Sequence, residues 1–212
     1  MLKVNEIFHS IQGESTYAGI PCAFIRLTGC NLRCTYCDTK YAYEDGSVMS
    51  LQSIVDTIQR YNCRFVEITG GEPLQQAETS ALAQALLDRD KTVLVETNGT
   101  LDIRCLPEDV IRIIDLKCPG SGESDKIFWQ NFEHLKNGDQ VKCVIANRLD
   151  FDWAIDAIQR CQLFSNAVVL FAPVFDQLAV QQLARWILQS GLPIRLQIQL
   201  HKYIWSPTRR GV

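Results

Sequence analysis

The chain has 212 residues, of which 47% are hydrophobic, and its 21 basic and 24 acidic side chains give a formal net charge of −3. This length and apolar content suit a single folded domain with a sizeable core. The slightly acidic balance argues against sequence-independent binding of nucleic acid, which needs a basic surface. No apolar signal segment or membrane-length stretch is present, so we expect a cytoplasmic protein without a membrane partner.

Seven short apolar or β-branched runs predict strands at residues 22–28, 65–69, 92–95, 110–116, 140–145, 167–172 and 194–199. Several of them are apolar almost throughout, which is typical of strands covered on both faces. Amphipathic runs between them predict helices at residues 50–60, 74–88, 151–160 and 176–189. We expect Ser50 and Asp176 to be N-caps, Pro73 to begin a first helical turn, and Gly191 with Pro193 to end the last helix.

Alternation of strands and helices predicts an α/β fold with a mainly parallel sheet and helices outside it. In such folds the carboxyl ends of the strands lie at one edge of the sheet, where ligands bind. The chemically distinctive segments follow the first four predicted strands, at residues 30–39, 70–73, 96–100 and 117–124. We therefore expect the active site at this edge.

The nine cysteines divide into a cluster of three and six scattered residues. An odd number in a chain without a secretory signal does not suit a disulfide framework. Most of the scattered cysteines lie in apolar surroundings, where a thiol behaves as a small buried hydrophobic group. The sequence assigns no role to these six, which are Cys22, Cys63, Cys105, Cys118, Cys143 and Cys161.

The clustered cysteines are Cys30, Cys34 and Cys37, in the segment GCNLRCTYCD with the spacing C-x-x-x-C-x-x-C. Three thiolates at this spacing can bind three corners of a [4Fe–4S] cluster, whose fourth corner usually takes a fourth protein ligand. No fourth cysteine is nearby, so one iron is expected to be accessible. Such an iron can bind the amino and carboxylate groups of S-adenosylmethionine (SAM).

Two other interpretations of the cysteine segment remain. Structural zinc prefers paired C-x-x-C knuckles and four ligands, and His9 is not suitably spaced to complete a set. The cysteines would otherwise be unconnected core residues, although Asn31, Arg33 and Asp38 make the segment polar for a core. A cluster fits the segment better than either alternative.

The cysteine spacing, with aromatic Tyr36 before the last cysteine, resembles the signature of the radical SAM superfamily. The strand–helix pattern agrees with the partial (β/α) barrel of that superfamily. Residues 69–73, TGGEP, resemble its GGEP motif, whose glycines let the backbone approach a ligand closely. Residues 96–100 are either an Asn-Gly turn or a wall of the SAM or substrate site. The resemblance implies SAM contacts at Tyr36, Cys37, Asp38, Gly71, Glu72, Ser121, Gln140, Val141 and Lys142.

Outside the cluster segment, residues 8–15, 37–41, 201–203 and 209–212, together with Arg26, resemble the 7-carboxy-7-deazaguanine synthase family of queuosine biosynthesis. The resemblance covers nearly the whole chain. It implies a lyase that converts 6-carboxy-5,6,7,8-tetrahydropterin to 7-carboxy-7-deazaguanine by radical ring contraction with loss of ammonia. SAM would be regenerated and Mg²⁺ would assist. A homodimer and an external, flavodoxin-like electron donor are also implied.

The resemblance implies Mg²⁺, and Thr39, two residues after Cys37, is expected either to bind it through its hydroxyl together with the substrate carboxylate or to cap a turn. Arg26 is expected to bind that carboxylate through bidentate geometry, or else to form a structural ion pair. We expect one domain, residues 1–212, with a C-terminal tail that covers the substrate, packs on the barrel wall or forms a dimer contact. The implied substrate-binding residues are Ile11, Gln12, Gly13, Glu14, Arg26, Thr69, His201 and Val212.

Two other functions remain. A glycyl-radical-activating enzyme has the same cysteine spacing, but it must admit a protein loop. The HSIQGES segment at residues 9–15, Thr39 and the basic C-terminus argue against this. A non-enzymatic zinc-binding module would be colourless, whereas an iron–sulfur protein purified anaerobically is brown.

Overall fold

Nine strands form one sheet in a computed structural model that describes residues 1–212. The strands are β1 (Leu2–Ile11), β2 (Pro21–Leu27), β3 (Ser47–Met49), β4 (Phe65–Gly70), β5 (Thr92–Thr97), β6 (Ile111–Asp115), β7 (Asp139–Ile145), β8 (Ala167–Pro173) and β9 (Arg195–Leu196). The α-helices are α1 (Leu51–Arg60), α2 (Thr79–Leu87), α3 (Arg148–Arg160), α4 (Val180–Ser190) and α5 (His201–Ile204). None of the helices combines the length and apolar character that crossing a membrane requires.

The sheet order is β3-β1-β2-β4-β5-β6-β7-β8-β9. Strand β1 pairs antiparallel with β2 and β3, whereas every pair from β2 to β9 is parallel. Two free edges remain, so the sheet is open, as in a partial barrel. The prediction of an α/β fold with a mainly parallel sheet is confirmed.

The apolar core lies between the sheet and the helices. Ile54 of α1 and Leu82 of α2 pack with the strands of the β1–β5 half, and Ile158 of α3 and Leu183 of α4 with β7 and β8. Successive strand residues point to opposite faces, so the residues between the core positions point away from the helices. We call this side of the sheet the helix-free face. It carries polar side chains and forms one wall of the cavity described below.

The segment after β1, residues 12–16, crosses the helix-free face. The backbone N–H of Ser15 donates to Oε1 of Gln197 at 2.8 Å, and that of Thr16 donates to Oε1 of Gln140 at 2.9 Å. These bonds connect the β1–β2 side of the sheet to β7 and to the residues after β9. The crossing segment thereby forms one wall of the interior.

The helix boundaries differ from the prediction for local reasons. Helix α1 follows Ser50, which caps it as predicted by accepting a hydrogen bond from the Ser53 N–H. Helix α2 starts at Thr79, later than predicted, because Pro73–Gln75 forms a separate 3₁₀ turn. The N-cap prediction for Asp176 is wrong: this residue has φ of 60° and α4 begins at Val180.

Strands β1 and β3 were absent from the predicted set. Strand β1 carries Lys3, Asn5 and Glu6 among its apolar residues, so it lacks the apolar run by which the central strands were found. Strand β3 has only three residues, Ser47–Met49. Both strands lie on the antiparallel side of the sheet, where one face can be polar.

Candidate active site

A cavity of about 820 Å³ lies against the helix-free face and the carboxyl ends of the parallel strands. The cysteine loop, the segment after β1 and the C-terminal tail complete its walls. Most of the predicted site residues line this one cavity: Ile11, Gln12, Gly13, Glu14, Arg26, Cys30, Cys34, Tyr36, Cys37, Asp38, Thr39, Thr69, Gly71, Lys142, His201 and Val212. Four predicted SAM contacts do not line it: Glu72, Ser121, Gln140 and Val141.

All three clustered cysteines, Cys30, Cys34 and Cys37, line the cavity, and none of the other six does. The sulfur of Cys30 accepts a hydrogen bond from the Leu32 N–H at 3.4 Å and faces the Asn98 side-chain amide at 3.9 Å. No three histidine, cysteine or acidic side chains converge on a point where a single ion could bind. An iron–sulfur cluster takes one cysteine thiolate per iron, so three thiolates on one cavity are a donor set that fits a [4Fe–4S] cluster.

Gly71 permits close contact between the end of β4 and the cysteine loop. A Cβ atom at this position would overlap the Gly29 carbonyl oxygen and lie 2.8 Å from Cβ of Cys30. The Glu72 N–H donates to the same Gly29 oxygen at 2.7 Å. A side chain at residue 71 would therefore displace the first cysteine of the loop.

Glu72 is completely buried and its carboxylate is used by the protein itself. It accepts hydrogen bonds from the Leu74 N–H at 2.9 Å, the Thr97 hydroxyl at 2.8 Å and the Asn98 N–H at 2.7 Å. Burial raises the pKa of this carboxyl, although the three hydrogen bonds oppose the effect. The side chain joins the ends of β4 and β5 instead of facing the cavity.

The other three predicted SAM contacts outside the cavity also support the wall. The Ser121 hydroxyl donates to the Cys118 carbonyl at 2.6 Å. Gln140 bonds to Thr16 through both its amide oxygen and its amide nitrogen, each at 2.9 Å. Val141 packs in the core. Contact of these residues with SAM stays a prediction.

Lys142 is a buried cation among acidic side chains of the cavity. Its Nζ lies 2.9 Å from Oε2 of Glu14 and 3.7 Å from Oδ2 of Asp115, and it also pairs with Glu96. Burial alone would raise the pKa of Glu14, but chiefly the charge of Lys142, together with that of His201, lowers it to about 2. Glu14 is therefore ionised at neutral pH.

Arg26 lines the cavity and is also part of an ion pair. Its Nε donates to Oε1 of Glu6 at 2.8 Å, and Tyr41 donates to the same oxygen at 3.1 Å. The guanidinium lies 5.8 Å from the centroid of the Tyr41 ring. Since the ion pair uses only Nε, the terminal nitrogens remain for an anionic ligand, and both predicted roles of Arg26 are compatible.

The C-terminal segment covers the cavity. Residues 207–212 line it, and the Arg210 guanidinium lies 3.9 Å from the centroid of the Tyr41 ring. Helix α5 is fixed where the Leu200 N–H donates to the Gly13 carbonyl at 2.9 Å. A Cβ atom on Gly13 would overlap the His201 ring, so glycine is required for this packing.

Thr39 lines the cavity two residues after the last cysteine of the loop. Its hydroxyl donates to Oδ1 of Asp38 at 2.9 Å. The hydroxyl oxygen keeps its lone pairs, so it can still bind a cation. Its predicted role toward Mg²⁺ remains a prediction.

Several cavity residues had no predicted role. They include Tyr41, Tyr43, Glu67, Lys117, Phe175 and Gln199. The sequence carried a signal for one of them, because Glu67 interrupts an otherwise apolar strand. Glu96 belongs to the segment expected either as a turn or as a wall of the site, and it lines the cavity. The individual contacts of the tail residues had no such signal because they depend on how the tail folds back.

Comparison with known proteins agrees with the site. The family model described as the radical SAM superfamily matches residues 24–121. The chain is 44% identical to the 7-carboxy-7-deazaguanine synthase of Chlorobaculum tepidum, over 100% of this chain and 97% of that protein. It is 40% identical to the 7-carboxy-7-deazaguanine synthase of Methanospirillum hungatei, over 97% and 86% of the two chains. The crystal structure of QueE from Escherichia coli has the same fold, with a TM-score of 0.78, 22% identity and 94% of each chain covered.

The similarity to these relatives extends over the whole chain, so it includes the tail and the segment after β1 as well as the cysteine loop. The chain belongs to the 7-carboxy-7-deazaguanine synthase family, within the radical SAM superfamily.

Proposed function

We propose that this protein is a radical SAM enzyme that converts 6-carboxy-5,6,7,8-tetrahydropterin to 7-carboxy-7-deazaguanine, with loss of ammonia. The observation that carries the proposal is that 44% identity to a synthase of this name over the whole chain coincides with one cavity. That cavity is lined by the three cysteines and by most residues of the two predicted binding sets. Fold alone would not distinguish this reaction from others of the superfamily.

Cys30, Cys34 and Cys37 would hold the [4Fe–4S] cluster, and the backbone around Tyr36 and Gly71 would hold SAM. A bound cluster and SAM supply the one-electron chemistry that starts the reaction. The protein's contribution is to bind the reactants in one orientation and exclude water. The tail residues over the cavity support the second role.

The pterin would bind among Gln12, Gly13, Thr69, Arg26 and His201. The guanidinium of Arg26 can bind the substrate carboxylate through its terminal nitrogens. The hydroxyl of Thr69 can bond to the polar edge of the ring. Ile11 and Val212, which also line the cavity, would complete the walls of this site.

Mg²⁺ would bind at Thr39, with the substrate carboxylate and water as further ligands. Mg²⁺ takes few ligands from the protein and keeps several waters, so a single hydroxyl is sufficient. We also infer a homodimer, an external electron donor, and one domain over residues 1–212 whose tail covers the substrate. The position of residues 207–212 supports the last of these.

The test is anaerobic incubation of the iron-loaded protein with SAM, a reductant and the tetrahydropterin, followed by mass spectrometric detection of the deazapurine acid. We expect one ammonia per product, and no product from a Cys37→Ala variant. A brown protein that cleaves SAM but leaves the pterin unchanged would contradict the proposed substrate. A colourless, iron-free protein that binds zinc would contradict the whole assignment.

A further inference from the structure

On the helix-free face of the sheet, β4 carries a carboxyl group that has no cationic partner. The neighbours of Glu67 in the strand, Val66 and Ile68, are completely buried in the core, so Glu67 points to the opposite face. It lines the cavity and is 4% exposed. Its only hydrogen-bond partner is Gln12, whose side-chain amide donates to Oε2. Oε1 accepts no hydrogen bond from the protein.

The other acidic groups of the cavity interior are matched by cations. Glu14 accepts hydrogen bonds from Lys142, Gln197 and Gln199, each at 2.9 Å. Glu96 also pairs with Lys142. A second pair, Asp115 with Lys117, has an N–O distance of 2.6 Å. Glu67 differs from them in having no cation within ion-pair distance, although Glu96 and Asp115 each also keep one oxygen without a hydrogen bond.

The surroundings of Glu67 keep it from ionising in the free protein. Burial, followed by the charges of Glu96 and Glu14, raises its pKa to about 8, although Gln12 and Lys142 oppose the shift. The Cys22 thiol, on neighbouring β2, also faces this carboxyl group. A ligand that offers two adjacent N–H groups would stabilise the carboxylate and release the proton.

The amino-pyrimidinone edge of a pterin offers such a pair, formed by a ring N–H and the exocyclic amino group. This edge matches a carboxylate in the way that a guanidinium does. Glu14, which is among the implied substrate-binding residues, already accepts three hydrogen bonds. We propose that Glu67 is a specificity-determining residue that binds the amino-bearing edge of the substrate ring, an inference that rests on the proposed function.

The test compares the binding of two ligands to three proteins: wild type, a variant and a control. The variant is Glu67→Gln, which keeps the shape of the side chain, and the matched control is Glu108→Gln at an exposed site. The ligands are 6-carboxy-5,6,7,8-tetrahydropterin and its analogue without the 2-amino group. Kd is measured by anaerobic calorimetry on the cluster-loaded proteins, without reductant.

We expect Glu67→Gln to weaken pterin binding about tenfold, or about 1.4 kcal/mol, and to change binding of the analogue by less than about twofold. Wild type should release a proton on binding pterin at pH 7, seen as a buffer-dependent enthalpy, and the variant should not. The Glu108→Gln control should behave as wild type. Equal loss of affinity for both ligands would mean that Glu67 only supports Gln12, and would overturn the inference.

Failure of the inference and failure of the proposed function give different results. If wild type converts the pterin but discriminates between the ligands no better than the variant, the inference alone is wrong. If wild type does not bind the pterin, both are wrong. If Glu67→Gln does not fold, Glu67→Asp replaces it in the test because it keeps the carboxylate. We expect Glu67→Asp to bind the pterin more weakly and still to prefer the amino-bearing ligand. Loss of that preference in a variant with wild-type iron content would contradict the inference.

Discussion

Lys202 of the C-terminal helix and Asp38 of the cysteine loop form an ion pair with an N–O distance of 2.7 Å. The lysine side chain is 8% exposed and the aspartate side chain is 52% exposed. Asp38 directly follows Cys37, so this pair joins the C-terminal segment to the cysteine loop, and both segments line the cavity. The position of the tail is therefore coupled to the cluster end of the site.

Replacing Lys202 with Met should loosen the tail while leaving the cluster in place. We expect KM for the pterin to rise about threefold to tenfold, because a half-exposed ion pair contributes on the order of 1 kcal/mol. Iron content and SAM cleavage without pterin should stay at the wild-type level. Arg148→Met, which removes an exposed ion pair with Asp152 on α3, is the matched control. A wild-type KM for the Lys202 variant would show that the pair does not position the tail.

Replacing Cys30, Cys34 or Cys37 with Ala should remove most of the iron and all SAM cleavage, because each thiolate occupies one corner of the cluster. Cys63→Ala and Cys161→Ala should keep wild-type iron and activity, since neither residue lines the cavity. Iron analysis and electron paramagnetic resonance of anaerobically purified protein measure both effects. A Cys37→Ala variant with four irons and full turnover would contradict the assignment of the ligands.

Thr39→Ala should weaken the dependence of the rate on Mg²⁺ because a hydroxyl ligand is lost, while the cluster remains. Thr39→Ser keeps the hydroxyl and should restore the response. The measurement is the initial rate as a function of magnesium concentration, together with iron content. Unchanged activation by magnesium in Thr39→Ala would exclude a role for this hydroxyl.

Removal of Gly211 and Val212 should raise KM for the pterin about tenfold or more, about 1.4 kcal/mol of binding. The physical reason is loss of cavity wall at both positions. SAM cleavage without pterin should persist, which separates substrate binding from damage to the cluster. If the shortened protein has a wild-type KM, the tail has only a structural role.

The stability of the ligand-free protein should fall as pH rises, in part because of Glu67. Its pKa is near 4.5 as an isolated group and about 8 in the folded protein. Between these values the folded chain keeps a proton that the unfolded chain has released, so this group lowers the free energy of unfolding as pH increases. Glu67→Gln should show a smaller decrease between pH 5 and pH 8 in urea unfolding. Equal pH dependence for the two proteins would mean that Glu67 is ionised in the fold.

The sequence allowed the cysteine loop and the central strands to be predicted because their signals are local. The spacing of Cys30, Cys34 and Cys37 is contained in one loop, and Val66 with Ile68 marks a buried strand. Glu67 interrupts that apolar strand, but its role could not be predicted from this signal, because only the folded sheet shows that the residue lines a polar cavity instead of the core.

Contacts between distant segments were beyond prediction. The Lys202–Asp38 pair joins residues 164 positions apart, and the bond from Ser15 to Gln197 spans 182. Neither follows from helical or strand periodicity, because both depend on how the crossing segment and the tail fold over the sheet. Motif matching likewise did not reveal that the Glu72 carboxylate points away from the cavity.

The orientation of Glu72 has a consequence for variation among related chains. The Glu72 carboxylate accepts a hydrogen bond from the Asn98 N–H, and the Asn98 side chain donates to Asn31 in the cysteine loop at 2.9 Å. Loss of this carboxylate would leave two buried donors, the Thr97 hydroxyl and the Asn98 N–H, without an acceptor. Iron retention should therefore depend on a residue that binds no iron, and relatives that lack the glutamate should carry compensating substitutions at the positions of Thr97 and Asn98.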